Sequence, residues 1–298
     1  MERIKFIKKN EKKEGNIIIE LNTVHNLDAI MFMEQLYEDY GNESINMFLC
    51  DLPYTFKGKA RVTANKWDLP IDDNRFFELA LQMLTPDGCI ALTATNPFAS
   101  YLVMNHLDYF KYEWIWEKDN GSNFVHVKHQ PFKVHEQVLI FGKAPTTYNK
   151  AEKYMTYNPQ MTKGRAYKVK SGNQISDNLA TAKQIGGVIT TSDGRRYPRS
   201  VIKINSEHGL HPTQKPIKLF NDLINTYTNK KDVIVDICCG SGTTAISAMD
   251  CCRDFIVNDF ETKYVDITNA RINEFKSKKY CGDCEYFGNC NYREYITE

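Results

Sequence analysis

The tetrapeptide Asp51-Leu52-Pro53-Tyr54 carries groups suited to chemistry on an aromatic amine. It follows Ile45–Cys50, an apolar run typical of a buried strand, so it is predicted to lie at the carboxyl edge of a sheet, where α/β proteins bind ligands. An amine on a nucleobase is a poor nucleophile because its lone pair is delocalised into the ring. The Asp51 carboxylate and the carbonyl of Leu52 or Pro53 could accept its N–H groups and direct the lone pair toward an electrophile.

The other two residues of the tetrapeptide fit the same chemistry. Pro53 removes a competing N–H donor and stiffens the turn, and Tyr54 offers a flat face on which a base could stack. Four-residue motifs also recur by chance, so an ordinary turn is the alternative interpretation. The position directly after an apolar strand favours the functional one.

A glycine-rich turn lies between a predicted strand and a predicted helix in the segment VIVDICCGSGTT, residues 233–244. Gly240 and Gly242 would let the backbone pass close to a ligand, because a Cβ would collide with it. The segment is no complete G-x-G-x-x-G and lacks the P-loop lysine, so it does not indicate a pyrophosphate. Asp259 follows nineteen positions after Gly240, where a carboxylate can accept hydrogen bonds from two ribose hydroxyls. Turn and acid together predict a site for an adenosine-containing molecule, with a purely structural turn as the alternative.

The surrounding pattern predicts the elements that position these two sites. Helical spacing predicts helices over residues 28–40, 76–84, 217–227, 243–251 and 264–278. Apolar runs predict strands over residues 16–21, 45–50, 89–95, 112–117, 134–141, 233–237 and 255–257, with a turn at residues 85–88. This alternation predicts an α/β fold with a doubly wound, mostly parallel sheet.

Composition excludes several classes of protein. The 298 residues are 42% hydrophobic and 25% charged, which is typical of a globular protein rather than a disordered chain, a collagen or a coiled coil. No apolar run could span a bilayer, and the basic N-terminus lacks the apolar segment of a signal peptide. Nine cysteines, with adjacent pairs at 238–239 and 251–252, favour reduced thiols and a cytoplasmic location.

The formal net charge of +1 conceals an asymmetry along the chain. Residues 143–205 contain twelve basic and three acidic side chains, a net charge of +9, so the remainder carries −8. This stretch is rich in Thr, Asn, Gly and Tyr. A basic surface with interleaved tyrosines favours contact with a polyanion, and a solvated loop is the alternative.

Three motifs and their order resemble the amino-methylating DNA methyltransferases. The tetrapeptide comes first, His211-Pro-Thr-Gln-Lys-Pro216 follows, and the glycine-rich turn that begins at Asp236 comes last. This order resembles the circularly permuted β group of the family, and the resemblance covers roughly residues 45–275. Segments 114–118 and 135–141 also resemble family segments. Leu52, where proline is commoner, and the pair Cys238-Cys239 depart from the family pattern.

The resemblance implies a methyltransferase fold that uses S-adenosylmethionine to methylate double-stranded DNA. In this family an Asp at the first tetrapeptide position goes with adenine, and Ser with cytosine, so Asp51 favours the exocyclic amine of adenine. The target base would be flipped out of the duplex into the cleft. A homodimer is left open, and no membrane partner is expected.

The resemblance also implies the site residues. The catalytic residues would be Asp51, Pro53 and Tyr54. The cofactor residues would be Asp236, Cys238, Gly240, Gly242, Thr243, Thr244, Asp259, Phe260, His211, Thr213 and Lys215, with Glu261 matching a second acid. Lys215 or Thr213 could pair with the carboxylate of the cofactor.

The DNA contacts are expected in two places. The basic loop 55–66 directly follows the catalytic turn and is predicted to close over DNA, with Lys57, Lys59, Arg61 and Lys66 near phosphates. The second set is Lys163, Arg165, Arg195, Arg196 and Arg199. The predicted organisation is a catalytic half (1–142), a target-recognition insertion (143–205), a cofactor half (206–280) and a Cys-containing tail (281–298).

The tail carries Cys281, Cys284 and Cys290 in a C-x2-C-x5-C pattern. A C-x-x-C pair is a zinc-binding spacing, but a closed structural site needs four ligands and the tail supplies three cysteines and no histidine. Metal-free thiols are therefore favoured over zinc.

Three other functions remain open at this point. The first is the same chemistry on the exocyclic amine of cytosine. The second is methylation of a protein amide, against which the motif order and the basic insertion argue. The third is a non-catalytic DNA-binding protein that retains the fold.

Overall fold

The computed structural model describes residues 18–55, 70–148, 150–170, 189–207, 209 and 213–279. It divides into two compact units, the first formed by Met1–Asn158 with Ser200–Glu298 and the second by Pro159–Arg199. The second unit is therefore shorter at both ends than the predicted insertion, residues 143–205. Residues 143–158 and 200–205 belong to the first unit.

The described part of the chain forms twelve strands and six helices. The strands are β1 (Thr23–His25), β2 (Ile45–Cys50), β3 (Leu84–Ala94), β4 (Phe110–Glu117), β5 (His135–Phe141), β6 (Thr162–Lys163), β7 (Tyr167–Lys170), β8 (Ile189–Ser192), β9 (Arg195–Arg196), β10 (Val201–Lys203), β11 (Val233–Asp236) and β12 (Asp254–Asn258). The helices are α1 (Ala29–Tyr40), α2 (Asp73–Met83), α3 (Phe98–Asn105), α4 (Ile217–Tyr227), α5 (Thr243–Asp250) and α6 (Thr262–Lys279). Within these ranges no helix has the length and apolar character needed to cross a bilayer.

The first unit contains an eight-stranded sheet in the order β1-β12-β11-β2-β3-β5-β4-β10. Among these strands, β5 alone runs antiparallel to its neighbours β3 and β4. The predicted α/β fold with a mostly parallel sheet is thus confirmed. Because β5 is reversed, its first residues lie at the edge where β2, β4, β11 and β12 end.

Helices cover both faces of the sheet, which makes the fold doubly wound. The side chains of α1, α2 and α3 form one core with Phe48 and Cys50 of β2. Those of α4, α5 and α6 form a second core with Met47 and Leu49 of the same strand. Successive strand residues point to opposite faces, so an all-apolar strand supplies both cores. Each large apolar side chain buried in this way stabilises the fold by roughly 1.5–3 kcal/mol.

Two helix starts show how the sequence sets local structure. The Asp28 carboxylate accepts the N–H groups of Ile30 and Met31 at the start of α1. Asp72 accepts the N–H of Arg75 at 3.1 Å, and this cap starts α2 three residues before the predicted position. Gly41, with φ of +74°, ends α1 as predicted.

The strand predicted over residues 16–21 is wrong for the part that the structure describes. The edge strand β1 begins at Thr23 instead. Ile19 donates its N–H to Asp39 at 2.8 Å and accepts the hydroxyl of Tyr40 at 3.2 Å. Side chains at the end of α1 therefore satisfy the backbone groups that a strand partner would have taken.

The turn predicted at residues 85–88 is also different in the structure. Leu84 already pairs with Ile45, and the next pair is Cys89 with Met47, so the intervening residues bulge out of β3. Helix α3 and the edge strand β10 have no counterpart in the predicted elements.

Candidate active site

One cavity of about 860 Å³ lies at the edge of the sheet where β2, β11 and β12 end. The tetrapeptide lines one part of it through Asp51, Pro53 and Tyr54, and the glycine-rich turn lines another part through Gly240. Its volume lies within the range of small-molecule sites. Two motifs that are far apart in the sequence therefore share one binding space.

The Asp51 carboxylate accepts three hydrogen bonds from protein groups. Its Oδ1 accepts the Tyr54 hydroxyl at 2.8 Å and the Thr93 hydroxyl, and its Oδ2 accepts the Lys215 ammonium at 2.6 Å. The aspartate side chain remains 25% exposed, whereas that of Lys215 is 7% exposed. The carboxylate is thus rigidly held with one side open to the cavity.

Glu136 on β5 joins the same network. Its Oε1 accepts the Lys118 ammonium at 2.6 Å, and its Oε2 lies 3.2 Å from the Tyr54 hydroxyl and 3.4 Å from Nζ of Lys215. Lys118 also lies over the ring of Trp116 at 5.2 Å. Two lysines and two carboxylates alternate along this chain of contacts, which brings the net charge of the buried group to zero.

The charges of this network shift the pKa values of its members. Burial alone would raise the pKa of Glu136, but the ammonium groups of Lys215 and Lys118 outweigh it and lower the pKa to about 2. Burial would lower the pKa of Lys215, but the carboxylates of Asp51 and Glu136 raise it. Burial and the Asp51 charge raise the pKa of Tyr54 well above its usual range, so this hydroxyl stays protonated and acts as a donor.

The Tyr54 ring packs on Phe98, with ring centroids 5.7 Å apart and an interplanar angle of 30°. Phe98 begins α3, the helix that the sequence pattern did not predict. This stacked pair fixes the tyrosine as one wall of the cavity.

The glycine-rich turn is held from behind by buried polar contacts. The Asp236 carboxylate accepts the Thr244 hydroxyl at 2.5 Å and the N–H of Cys238 at 3.1 Å. Burial raises the pKa of Asp236 to about 7. Gly242 has φ of +79°, and a Cβ there would collide with the side chain of Thr268 on α6. Helix packing therefore already requires a glycine at this position, and its predicted role in cofactor binding stays a prediction.

Asp259 keeps carboxylate acceptor positions that a diol could use. Its Oδ2 accepts the N–H of Gly240 at 2.8 Å and its Oδ1 accepts that of Glu261 at 2.9 Å. Each carboxylate oxygen has two lone pairs, so one acceptor position remains on each oxygen. Phe260, 64% exposed, lines the cavity next to it and offers a flat face. A diol acceptor beside an aromatic face fits the ribose and base of an adenosine-containing cofactor.

The cavity collects most of the predicted site residues that the structure describes. Lining it are Asp51, Pro53, Tyr54, Asp236, Cys238, Gly240, Thr243, Asp259, Phe260, Thr213, Lys215 and Glu261. Thr244 is fully buried behind Asp236, and Gly242 lies against α6, so neither lines the cavity. Lys215 contacts two carboxylates of the protein, and its predicted pairing with a cofactor carboxylate stays a prediction.

Several predicted residues fall outside the described residues. They are His211, the four basic residues of the 55–66 loop (Lys57, Lys59, Arg61 and Lys66) and the tail cysteines Cys281, Cys284 and Cys290. In the part of the chain that is described, no cluster of His, Cys, Asp and Glu could hold a metal ion. The expectation of metal-free thiols in the tail concerns residues outside the described ranges and stays a prediction.

Sequence reasoning assigned no role to Glu136, Lys118 or Thr93. Glu136 lies on β5, where it pairs with Trp116 of the antiparallel neighbour β4, and Lys118 directly follows β4. A charged residue in a predicted strand that continues into the apolar run of residues 138–141 was the signal that could have indicated Glu136. The structure also adds residues 120–123 of the β4–β5 connection to the cavity wall.

The second unit carries the other predicted DNA contacts. It contains two antiparallel pairs, β6 with β9 and β7 with β8. Arg196 donates to Ser192 and to the carbonyl of Arg165, and it lies 4.8 Å from the Tyr167 ring, so it supports the unit internally. Arg195 pairs with Asp193 at 2.8 Å. The other predicted residues, Lys163, Arg165 and Arg199, are exposed.

Comparison with known proteins identifies DNA methyltransferases as the proteins that this chain resembles. A family model described as a DNA methylase, named for N6 and N4 methyltransferases, matches residues 45–270. The Type II methyltransferase M1.MboII of Moraxella bovis is 26% identical over 280 residues, covering 87% of this chain and 99% of that protein. M.HinfI of Haemophilus influenzae, also a Type II methyltransferase, is 26% identical over 284 residues, covering 86% and 69%.

Solved structures share the fold at low sequence identity. M1.HpyAVI in complex with SAM superposes with a TM-score of 0.52 at 18% identity, covering 84% of this chain and 99% of that one. The cytosine-N4-specific PvuII DNA methyltransferase gives 0.58 at 15% identity, covering 88% and 93%. These likenesses concern the fold. The family model matches residues 45–270, which is well over half of this chain, and the chain therefore belongs to the DNA methylase family.

Proposed function

We propose that this DNA methylase transfers a methyl group to the exocyclic amine of adenine in double-stranded DNA. Its methyl donor is S-adenosylmethionine, which when bound supplies a methyl group on a positively charged sulfur. The observation that carries the proposal is that Asp51 lines the same cavity as Gly240 and Asp259. Such a cavity can hold the donor and the acceptor within one reacting distance.

The tetrapeptide supplies acceptors for both N–H groups of the amine. Asp51 can accept one at the lone pair of Oδ2 that Lys215 does not use. The Pro53 carbonyl already accepts the N–H of Thr55 at 2.7 Å, which favours the Leu52 carbonyl for the other. Held in this way, the amine lone pair attacks the methyl carbon. The N–C bond would form as the C–S bond breaks, the sulfur would leave as the neutral thioether S-adenosylhomocysteine, and the nitrogen would then lose a proton to solvent.

The position of Asp51 inside a cavity requires the target base to leave the duplex. Base flipping costs a few kcal/mol, and contacts with the flipped base and with phosphates offset that cost. The second unit, with eight basic and two acidic residues between positions 159 and 199, is proposed as the part that contacts DNA. The chain's Type II relatives favour a role in restriction–modification, and a cytoplasmic location fits the DNA substrate.

The choice of adenine rests on Asp51 at the first tetrapeptide position. The test is incubation of the protein with methyl-labelled S-adenosylmethionine and plasmid DNA, followed by digestion to nucleosides and mass spectrometry. N6-methyladenine is the expected product. N4-methylcytosine alone would contradict the adenine assignment, and absence of label in any DNA would contradict the function.

A further inference from the structure

Glu136 is a partly buried carboxylate at the catalytic tetrapeptide that has no role in the chemistry described so far. Its side chain is 15% exposed, and it lies on β5, the reversed strand of the sheet. Burying a carboxylate is costly unless it is paired, and Lys118 pairs with Oε1 at 2.6 Å. The lysine thereby anchors Glu136 and leaves Oε2 directed at the groups that surround Asp51.

The acceptor sites of Asp51 are nearly filled. A carboxylate has about four lone-pair sites, and three are occupied by the Tyr54 hydroxyl, the Thr93 hydroxyl and the Lys215 ammonium. An incoming amine must use the one that remains, next to a positively charged donor. A neutral aromatic amine competes poorly with an ammonium for the same oxygen.

Two of these three donors have Glu136 as a second acceptor. The Tyr54 hydroxyl has one proton and lies 2.8 Å from Oδ1 of Asp51 and 3.2 Å from Oε2 of Glu136. Nζ of Lys215 lies 2.6 Å from Asp51 and 3.4 Å from the same Glu136 oxygen. Small rotations would transfer either donor from one carboxylate to the other.

We propose that Glu136 is a positioning residue that takes the Tyr54 hydroxyl and the Lys215 ammonium from Asp51 when the target amine binds. This inference rests on the proposed function and deepens it. Asp51 then accepts the amine N–H with little competition. The transfer also moves the lysine charge away from the nitrogen, which becomes positive as the methyl group arrives, and so lowers the electrostatic cost of the transition state.

The test compares Glu136→Gln with the wild type and with a matched control, Glu113→Gln. Glu113 lies on the adjacent strand β4, accepts a hydrogen bond from Gln137 at 2.8 Å and does not line the cavity. For Glu136→Gln we expect kcat to fall about 10- to 100-fold, because the Tyr54 hydroxyl and the Lys215 ammonium then stay bonded to Asp51. KM for DNA and Kd for S-adenosylmethionine should change less than about threefold. Glu113→Gln should retain wild-type kinetics.

A double-mutant cycle with Tyr54→Phe separates positioning from simple structural damage. Glu136→Gln causes one fold-loss of kcat in the wild-type background and another in the Tyr54→Phe background. If Glu136 acts partly through the Tyr54 hydroxyl, the loss in the Tyr54→Phe background is smaller by a factor of about three or more. Additive losses would overturn the inference. So would a Glu136→Gln enzyme with wild-type kcat, or one whose loss lies entirely in cofactor affinity.

Glu136→Asp covers the case in which Glu136→Gln does not fold. It keeps the buried charge and the partner Lys118 but shortens the reach toward Tyr54 and Lys215. A kcat about tenfold below wild type supports the inference, and a wild-type kcat overturns it. A wild-type enzyme that methylates no DNA would instead defeat the proposed function, so the two failures are distinguishable.

Discussion

Oδ2 of Asp51 and Nζ of Lys215 lie 2.6 Å apart, although 164 positions separate the two residues in the sequence. The lysine comes from the segment before α4, and the aspartate follows β2. A second carboxylate, Glu136, lies 3.4 Å from the same ammonium. The lysine therefore bridges the carboxylate of the catalytic turn and a carboxylate of β5.

Lys215→Met tests this role against the predicted role in cofactor binding. Without the ammonium, Asp51 loses its ion-pair partner and faces the nearby Glu136 carboxylate, which keeps Lys118, so we expect kcat to fall about 100-fold or more. Kd for S-adenosylmethionine, measured by calorimetry, should change less than about threefold. The control is Lys218→Met, an exposed lysine on α4 that should behave as wild type. A large rise in Kd with little change in kcat would assign Lys215 to the cofactor instead.

Asp259→Ala should act on cofactor binding. The change removes the two acceptor positions offered to a diol, so we expect Kd for S-adenosylmethionine to rise about 10- to 100-fold, with a smaller change in kcat at saturation. Asp266→Asn, an exposed acid on α6, is the control. An unchanged Kd would mean that the carboxylate only holds the turn through Gly240 and Glu261.

The pKa of Asp236 predicts an unusual dependence of stability on pH. Burial raises it to about 7, above the value of an unfolded aspartate, so the folded protein binds the proton more tightly. The contribution of this group is fully present below about pH 4 and is lost as the pH rises to 7. Relative to Asp236→Asn, the wild type should lose unfolding free energy over that interval in denaturant titrations. A constant difference between the two proteins would show that Asp236 ionises normally.

The second unit should bind DNA through charge and not through Arg196. Replacing the exposed residues Arg165 and Arg199 with Ala should weaken binding to all sequences and reduce the slope of log K against log salt by about 0.9 for each phosphate that the protein no longer neutralises. Arg196→Ala should instead lower the stability of the unit, since this side chain bonds to Ser192 and the Arg165 carbonyl. Lys203→Ala, in the first unit, is the control. Equal salt slopes in the wild type and both exposed-arginine variants would remove the second unit from the DNA interface.

The local sequence pattern was sufficient to predict the two motifs and the main strands and helices that position them. The strand β2 and the helix α4 occur at their predicted bounds, because continuous apolar residues and helical spacing encode them directly. Parallel strands end at one edge of a sheet, so Asp51, Asp236 and Asp259 could be expected to meet there.

What the sequence did not indicate depends on contacts between distant elements. Glu136 shares the partners Tyr54 and Lys215 with Asp51 because β5 is reversed, a property of strand pairing that residue pattern does not encode. Likewise β1 is three residues long and exists through its pairing with β12, while the apolar residues before it are bonded to side chains of α1. The packing requirement at Gly242 was not predicted, because its packing partner, Thr268, comes from a helix later in the chain.

The most direct test of the central claim is methyl transfer to DNA by Asp51→Asn, with cofactor binding measured on the same preparation. The asparagine keeps the shape of the side chain but removes the charge that holds the target amine. We predict that wild-type protein labels DNA from methyl-labelled S-adenosylmethionine and that Asp51→Asn loses about 100-fold or more of kcat with Kd for the cofactor unchanged. An Asp51→Asn enzyme that methylates DNA at the wild-type rate would contradict the account.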